Sequence, residues 1–145
     1  MKANISDREG DNIPVFMGSY GVGLSRLVGA IIEANHDQKG IIWPKEITPW
    51  DYNIINLKSG DTDCDRICLD MYNEMKHNSL KVLYDDTDDR AGTKLARADL
   101  IGLPYQIIIG PKGIKDQLYD LKCRKSGDIS RLSYNELLNF VQTNK

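Results

Sequence analysis

Apolar residues recur at regular spacing in two parts of the chain, a short leading part and a longer α/β part. In the leading part Leu24, Leu27, Val28, Ile31 and Ile32 fall at i, i+3, i+4, i+7 and i+8, one face of a helix, and an extended run from Ile13 to Phe16 leads towards it. Residues 1–12 are polar, and Asp7-Arg8-Glu9-Gly10-Asp11-Asn12 reads as a turn between extended pieces. The helical stripe has to bury against something. An open apolar helix face is a liability for a soluble monomer, so this helix is expected to be either poorly ordered or covered by another molecule.

Between residues 40 and 50 the periodicity stops, and Trp43, Pro44, Pro49 and Trp50 mark a connection between domains. This divides the chain into residues 1–45 and 46–145. Beyond the connection, residues 52–57 predict a strand, 58–63 a turn, and 64–77 a helix carrying Ile67, Leu69, Met71, Tyr72 and Met75. Residues 81–84 form a short β-rich run, and 93–103 a helix stopped by Gly102 and Pro104. Residues 105–109 are the most apolar strand, which argues for the centre of a sheet. Residues 117–123 alternate, a turn follows at Ser126-Gly127-Asp128, and a short strand includes Ile129. Ser133 with Glu136 three residues on is a capping box for a last helix through Val141. The order β-α-β-α-β-β-β-α predicts an α/β sandwich with a mixed sheet.

The length of 145 residues suits one whole domain plus part of another. Nineteen Lys and Arg against 21 Asp and Glu give a net charge of −2, so any nucleic-acid contact has to come from a local patch. Cys64-x-x-x-Cys68 and a distant Cys123 fit neither a disulfide framework nor a zinc ribbon. A Cys/Cys/His set with His77 can be sketched, but Cys64 and Cys68 open a helix and His77 lies past its third turn. Free thiols packed as small hydrophobes, with no metal, are the expectation. Met1-Lys2-Ala3-Asn4-Ile5 has no apolar core of a signal peptide, and the apolar runs fall short of the ~20 residues of a membrane helix. A soluble, cytoplasmic chain is expected.

The stretch Met17 to Arg26 carries the most chemistry. Gly18, Gly21 and Gly23 lead from the extended run into the helix, with Arg26 one turn inside it. Glycines let backbone approach a ligand, and a guanidinium there offers forked donors to phosphate. The third glycine of the dinucleotide fingerprint is missing, so the spacing alone fits a tight strand-to-helix turn equally well. Ser19 and Ser25 have no histidine in a credible context, and His36 beside Asp37 reads as a helix C-terminal residue rather than a base. The acidic run at residues 85–89 lacks the EF-hand glycine and glutamate and reads as a solvated loop, followed by Arg90 and Lys94. Lys112, Lys115, Lys122, Arg124, Lys125 and Arg131 form a basic patch among only three carboxylates, Asp116, Asp120 and Asp128. On an alternating strand Lys122 and Arg124 share one face, opposite Leu121 and Cys123. Such a pair can follow a single strand of RNA, with Tyr105 or Tyr119 for stacking, although a solvated outer strand face gives the same composition.

The glycine turn with Arg26, the helix running into Asn35-His36-Asp37, and the Gly40-Ile41-Ile42-Trp43-Pro44 connection together resemble the prolyl-tRNA synthetases, class II aminoacyl-tRNA synthetases of bacteria and organelles. The likeness extends over essentially the whole chain. It implies a C-terminal fragment holding motif 3 of the class II catalytic domain and an anticodon-binding domain, whose mixed, about five-stranded sheet is packed by three helices. Motifs 1 and 2 are absent. The resemblance gives Arg26 the place of the arginine that binds the ATP γ-phosphate, and Gly21 and Gly23 that of the glycines beside the adenosine. It matches Asp88-Asp89-Arg90 and Lys94 to a stretch near the anticodon stem-loop, and Lys122, Arg124 and Lys125 to the late strand where anticodon contacts cluster. The invariant anticodon bases of the proline system are two guanines. Lysine and arginine donate to guanine O6 and N7, and Asp86 or Asp89 could accept from N1 and N2. The implied parent is a homodimer that joins proline to tRNA(Pro) with ATP and Mg²⁺ through prolyl-adenylate; the fragment alone is expected to be inactive and to need no cofactor. The alternatives are a stand-alone tRNA-binding or regulatory module and the corresponding domain of a threonyl, histidyl or glycyl enzyme.

Overall fold

The computed structural model describes residues 3–144; Met1 and Lys2, which belong to the opening stretch read above, and Lys145 lie outside the described residues. Strand β1 (Asn4–Ser6) pairs antiparallel with β2 (Asn12–Pro14), Ile5 opposite Ile13. The turn between them closes on Asp7, whose Oδ1 accepts the N–H groups of Glu9 and Asp11. Helix α1 (Leu24–Ala34) begins at Gly23 without a side-chain cap and buries none of its residues. The helix is regular over its eleven residues. Its apolar stripe stays open at Leu24, Leu27 and Val28, and only Ile31 and Ile32 are half-buried.

Strands β3 (His36–Asp37) and β4 (Gly40–Ile41) form a two-residue hairpin directly after α1. His36 opens β3 one residue past the C-cap of α1, and its Nδ1 lies 3.0 Å from the Glu33 carbonyl in the last turn of the helix. A 3₁₀ turn at Lys45–Ile47 leads into the main sheet, built from β5 (Tyr52–Asn56), β6 (Val82–Asp85), β7 (Tyr105–Ile109), β8 (Tyr119–Cys123) and β9 (Ile129–Leu132) in the order β6-β5-β7-β8-β9. The pairs β5–β6 and β5–β7 are parallel; β7–β8 and β8–β9 are antiparallel. The expected mixed five-stranded sheet is thus present.

Parallel neighbours need crossover helices, and α2 (Thr62–His77) and α3 (Ala91–Ile101) supply them. Asp61 caps α2 by accepting from Cys64 N–H, which starts the helix two residues before its apolar period does. A short α4 (Pro111–Asp116), not legible from periodicity, precedes β8, and α5 (Tyr134–Thr143) opens with the Ser133/Glu136 capping box.

One sheet face is sealed. Tyr52, Ile54, Ile107, Ile109 and Leu121 pack there against Cys68, Met71 and Met75 of α2 and Leu137 and Val141 of α5. Every residue of β5 is buried, as a central strand covered on both faces requires. The opposite face carries Asn53, Gln106, Lys122, Asp120 and Arg131 in register; α3 packs on it over β5, and its Asp99 reaches Gln106 of β7 and Lys122 of β8. Over β9 it is open, with Ile129 and Arg131 exposed, while the β8 residues facing this side are half-buried.

Candidate nucleic-acid interface

Helix α3 puts charge where a covering helix usually puts apolar side chains. Lys94 is fully buried and donates to the Asn56 carbonyl at 2.5 Å and to Ser59 Oγ at 2.7 Å. Ser59 in turn donates to the Thr87 carbonyl, so one ammonium holds together the ends of β5 and of the loop after β6. One turn on, Asp99 Oδ1 accepts from Lys122 Nζ at 2.5 Å and from Gln106 Nε2 at 2.9 Å. Burial works to raise the Asp99 carboxyl, but the Lys122 and Gln106 donors outweigh it and hold the group below the ordinary carboxylate range. Lys122 is thereby fixed on the floor of the open face, one-sixth exposed.

The loop between β6 and α3 stands at the other edge of the sheet, three strands from β8. Arg97 donates to both oxygens of Asp85, at 2.9 and 2.7 Å, to Asp89 Oδ2 at 2.7 Å and to Thr87 Oγ1 at 2.6 Å. Desolvation opposes ionisation of Asp85, yet these donors leave its carboxyl lowered, and Asp89 is lowered chiefly by Arg97. With those groups occupied, Asp86, Asp88 and Arg90 project into solvent. Across the open half, Arg131 Nε donates to Asp120 at 3.1 Å beside a cleft of about 240 Å³ that Lys112 and Ile108 also line.

The far end of the sheet is locked to the hairpin that follows α1. Arg124, 4% exposed, makes a two-pronged pair with Asp37, at 2.8 and 2.7 Å, and its Nε donates to the Asp99 carbonyl at 3.0 Å. The guanidinium and the backbone N–H of Lys39 hold the Asp37 carboxyl far below its usual range. Trp43 reinforces the joint, its indole donating to the Ile101 carbonyl and its backbone N–H to the Gly102 carbonyl. Gly102 (φ +76°) and Gly40 (φ +143°) are needed because backbone meets backbone: a Cβ on Gly102 would lie 1.8 Å from the Ile41 oxygen, and one on Gly40 2.4 Å from Leu100 Cα.

These positions revise the residue expectations. Lys94 is a buried structural cation rather than a donor to RNA, because its charge is spent inside. Arg124 shares a face with Lys122 as strand alternation requires, but Asp37 and Asp99 take its donors. Tyr105 and Tyr119 lie on the sealed face, against Phe140 and Tyr134, and are not stacking platforms for a strand over Lys122. Asp86, Arg90 and Lys125 are exposed, and Asp89 is shared with Arg97. Lys125 sits in the β8–β9 turn, about 20 Å along the strands and roughly 14 Å across them from the loop at residues 86–90. Gly21, Gly23 and Arg26 stand together in the exposed leading part, where a Cβ on Gly23 would lie 3.0 Å from Arg26 Nε and nothing crowds Gly21. The organising residues Arg97 and Asp99 were not singled out from the sequence, and Asp37 entered only as part of the Asn35-His36-Asp37 element. A trace existed in Lys94, Ala98 and Ile101, spaced i, i+4, i+7, which put a charge on a buried helical stripe.

The half-covered mixed sheet is that of an RNA-reading module: residues 51–144 match the anticodon binding domain family, and the chain belongs to it. Over all 145 residues it is 50% identical to the proline–tRNA ligase of Caulobacter vibrioides strain NA1000, of which it covers 33%. It is 52% identical to the proline–tRNA ligase of Maricaulis maris over 133 residues (92% of this chain, 30% of that protein), and 52% identical to that of Rhodopseudomonas palustris strain HaA2 over 136 residues (94% and 31%). The chain spans about a third of the length of these curated relatives. Among the described residues no helix is long and apolar enough to cross a membrane.

Proposed function

We propose that this chain recognises the anticodon of a proline-accepting tRNA, as the anticodon-binding part of an enzyme that joins proline to that tRNA. The observation that carries this is the open half of the sheet face, with Lys122 held on its floor by Asp99; the exposed Asp86 and Arg90 stand on the loop after β6, across α3 from it. Lys122 and Arg90 donate to guanine O6 and N7, Asp86 and the free side of Asp89 accept from N1 and N2, and Lys125 meets backbone phosphate. Lys94 and Arg124 serve from behind, one holding the loop after β6 and the other the hairpin.

In the parent enzyme, residues 1–45 would be part of the class II catalytic domain. The start of α1 lacks a side-chain cap, so its first N–H groups and the exposed Arg26 suit an anionic group, which accords with Arg26 at the ATP γ-phosphate and Gly21 and Gly23 beside the adenosine. ATP, with Mg²⁺, would supply the activating chemistry through prolyl-adenylate. Other arginines would be needed to clamp the nucleotide, so these 145 residues alone are expected to be inactive. A homodimeric, cytoplasmic parent completes the proposal.

The test is a titration of the chain with tRNA carrying the proline anticodon and with the same tRNA lacking its two guanines, at two salt concentrations. Lys122→Ala should lose about tenfold of the preference for the guanines, while Lys125→Ala should weaken both tRNAs alike. Equal binding to both tRNAs that disappears with salt would reduce the interaction to phosphate attraction and reject base recognition.

A further inference from the structure

Lys122 and Arg124 are joined through one residue. Asp99 gives its carboxylate to Lys122 and its backbone carbonyl to Arg124, and Arg124 gives its other donors to Asp37 of the hairpin directly after α1. The series runs without a gap from the open sheet face to the helix that carries Arg26. Asp99 and Arg124 are mostly buried, and the Asp99 charge already acts on Arg124. The joint beyond them is discrete: Trp43 is bonded to the end of α3, and Gly40 and Gly102 touch backbone to backbone, a contact that is either made or not.

We infer that Asp99 and Arg124 are positioning residues that couple occupancy of the RNA face to the docking of the α1 hairpin. The inference rests on the proposed RNA reading for its ligand, but not for its wiring. When an RNA base or phosphate draws Lys122 away, the Asp99 carboxylate loses its cation inside a poorly solvated space. The nearest remaining cation is Arg124. Turning towards Asp99 costs Arg124 its two-pronged hold on Asp37, and the hairpin loosens. By linkage the coupling runs both ways: releasing Asp37 frees Arg124 to serve Asp99, which loosens Lys122 and makes it more available to RNA.

The probe is an anticodon stem-loop RNA whose anticodon ends in two guanines, added to the whole 145-residue chain. The readouts are hydrogen exchange of the Trp43 amide and indole, and RNA affinity. RNA bound to the wild type, or Lys122→Met without RNA, should speed Trp43 exchange about fivefold or more. Asp37→Ala should bind the RNA more tightly by the same factor, a sign that a purely structural staple does not give. If Lys122→Met fails to fold in a thermal melt, Lys122→Gln takes its place. Bound RNA that leaves Trp43 exchange unchanged, with Asp37→Ala binding no tighter, overturns the coupling and spares the anticodon reading. No RNA binding by the wild type rejects the anticodon reading; the coupling then stands or falls on whether the Lys122 variant alone speeds Trp43 exchange.

Discussion

Replacing Gly102 by alanine sets two physical costs against the chain at one atom. The residue sits at φ +76°, ψ 29° as the C-cap of α3, where an L side chain costs about 1–2 kcal/mol. Its new Cβ would lie 1.8 Å from the Ile41 oxygen and 2.3 Å from the Ile41 carbonyl carbon. Both are backbone atoms, so no side-chain rotation relieves the overlap. Carbon and oxygen settle at roughly 3.3 Å or more, so the hairpin has to retreat by about 1.5 Å. That retreat breaks the two Trp43 bonds to Ile101 and Gly102, at about 1 kcal/mol each. The expected total is about 3–5 kcal/mol, which lowers Tm by roughly 10–15 °C in a chain of this length. Gly92→Ala is the matched control: it lies inside α3 with nothing within 4 Å of the added Cβ, and should stabilise by about 0.5–1 kcal/mol. Thermal and urea unfolding followed by circular dichroism, with the Trp43 indole resonance as a local reporter, measure both variants. A Gly102→Ala loss below about 1 kcal/mol with the indole resonance unmoved would refute the reasoning.

Two other outcomes follow from the buried and charged groups. Burial pushes the thiols of Cys64 and Cys68 up to about 11 and about 12, and neither is exposed, whereas Ser126 hydrogen bonds more than offset burial at half-buried Cys123 and lower its pKa. A thiol-specific disulfide reagent should therefore titrate Cys123 alone in the native protein and the other two only in denaturant; rapid native labelling of Cys68 would show that α2 does not stay packed on the sheet. The carboxyls of Asp37, Asp85 and Asp99 are all lowered in the fold, so their contribution is fully present above the unfolded value near 3.9 and is lost as pH falls through the folded values. Urea midpoints should be flat from about pH 7 to 5 and fall below about pH 4; an unchanged midpoint at pH 3 would contradict these ion pairs.

Local chemistry made much of the fold legible. The Ser133/Glu136 capping box fixed the start of α5, and the apolar run at residues 105–109 became the central β7. Short pieces carry no period: α4 has six residues with a glycine among them, and each strand of the β3–β4 hairpin has two. The cationic chemistry of the candidate face was visible as composition, but which cations are free was not. Lys94 and Lys122 look alike in sequence, and only packing buries the first completely and leaves the second paired with Asp99 and partly exposed. Arg124 finds Asp37 across 87 positions, a separation about which strand alternation says nothing.

That separation also sets an order of events during synthesis. Asp37 leaves the ribosome 87 residues before the arginine that clamps it. At translation rates of 5–20 residues per second the hairpin waits roughly 4–17 seconds for its partner, and Gly102 arrives before Arg124 does. The sheet that holds Arg124 has to close through β8 before the joint can be sealed. Sealing the joint does not cover the apolar stripe of α1, which is as open in the folded chain as during this interval, so the wait leaves the hairpin, and not the helix face, as the part that changes state.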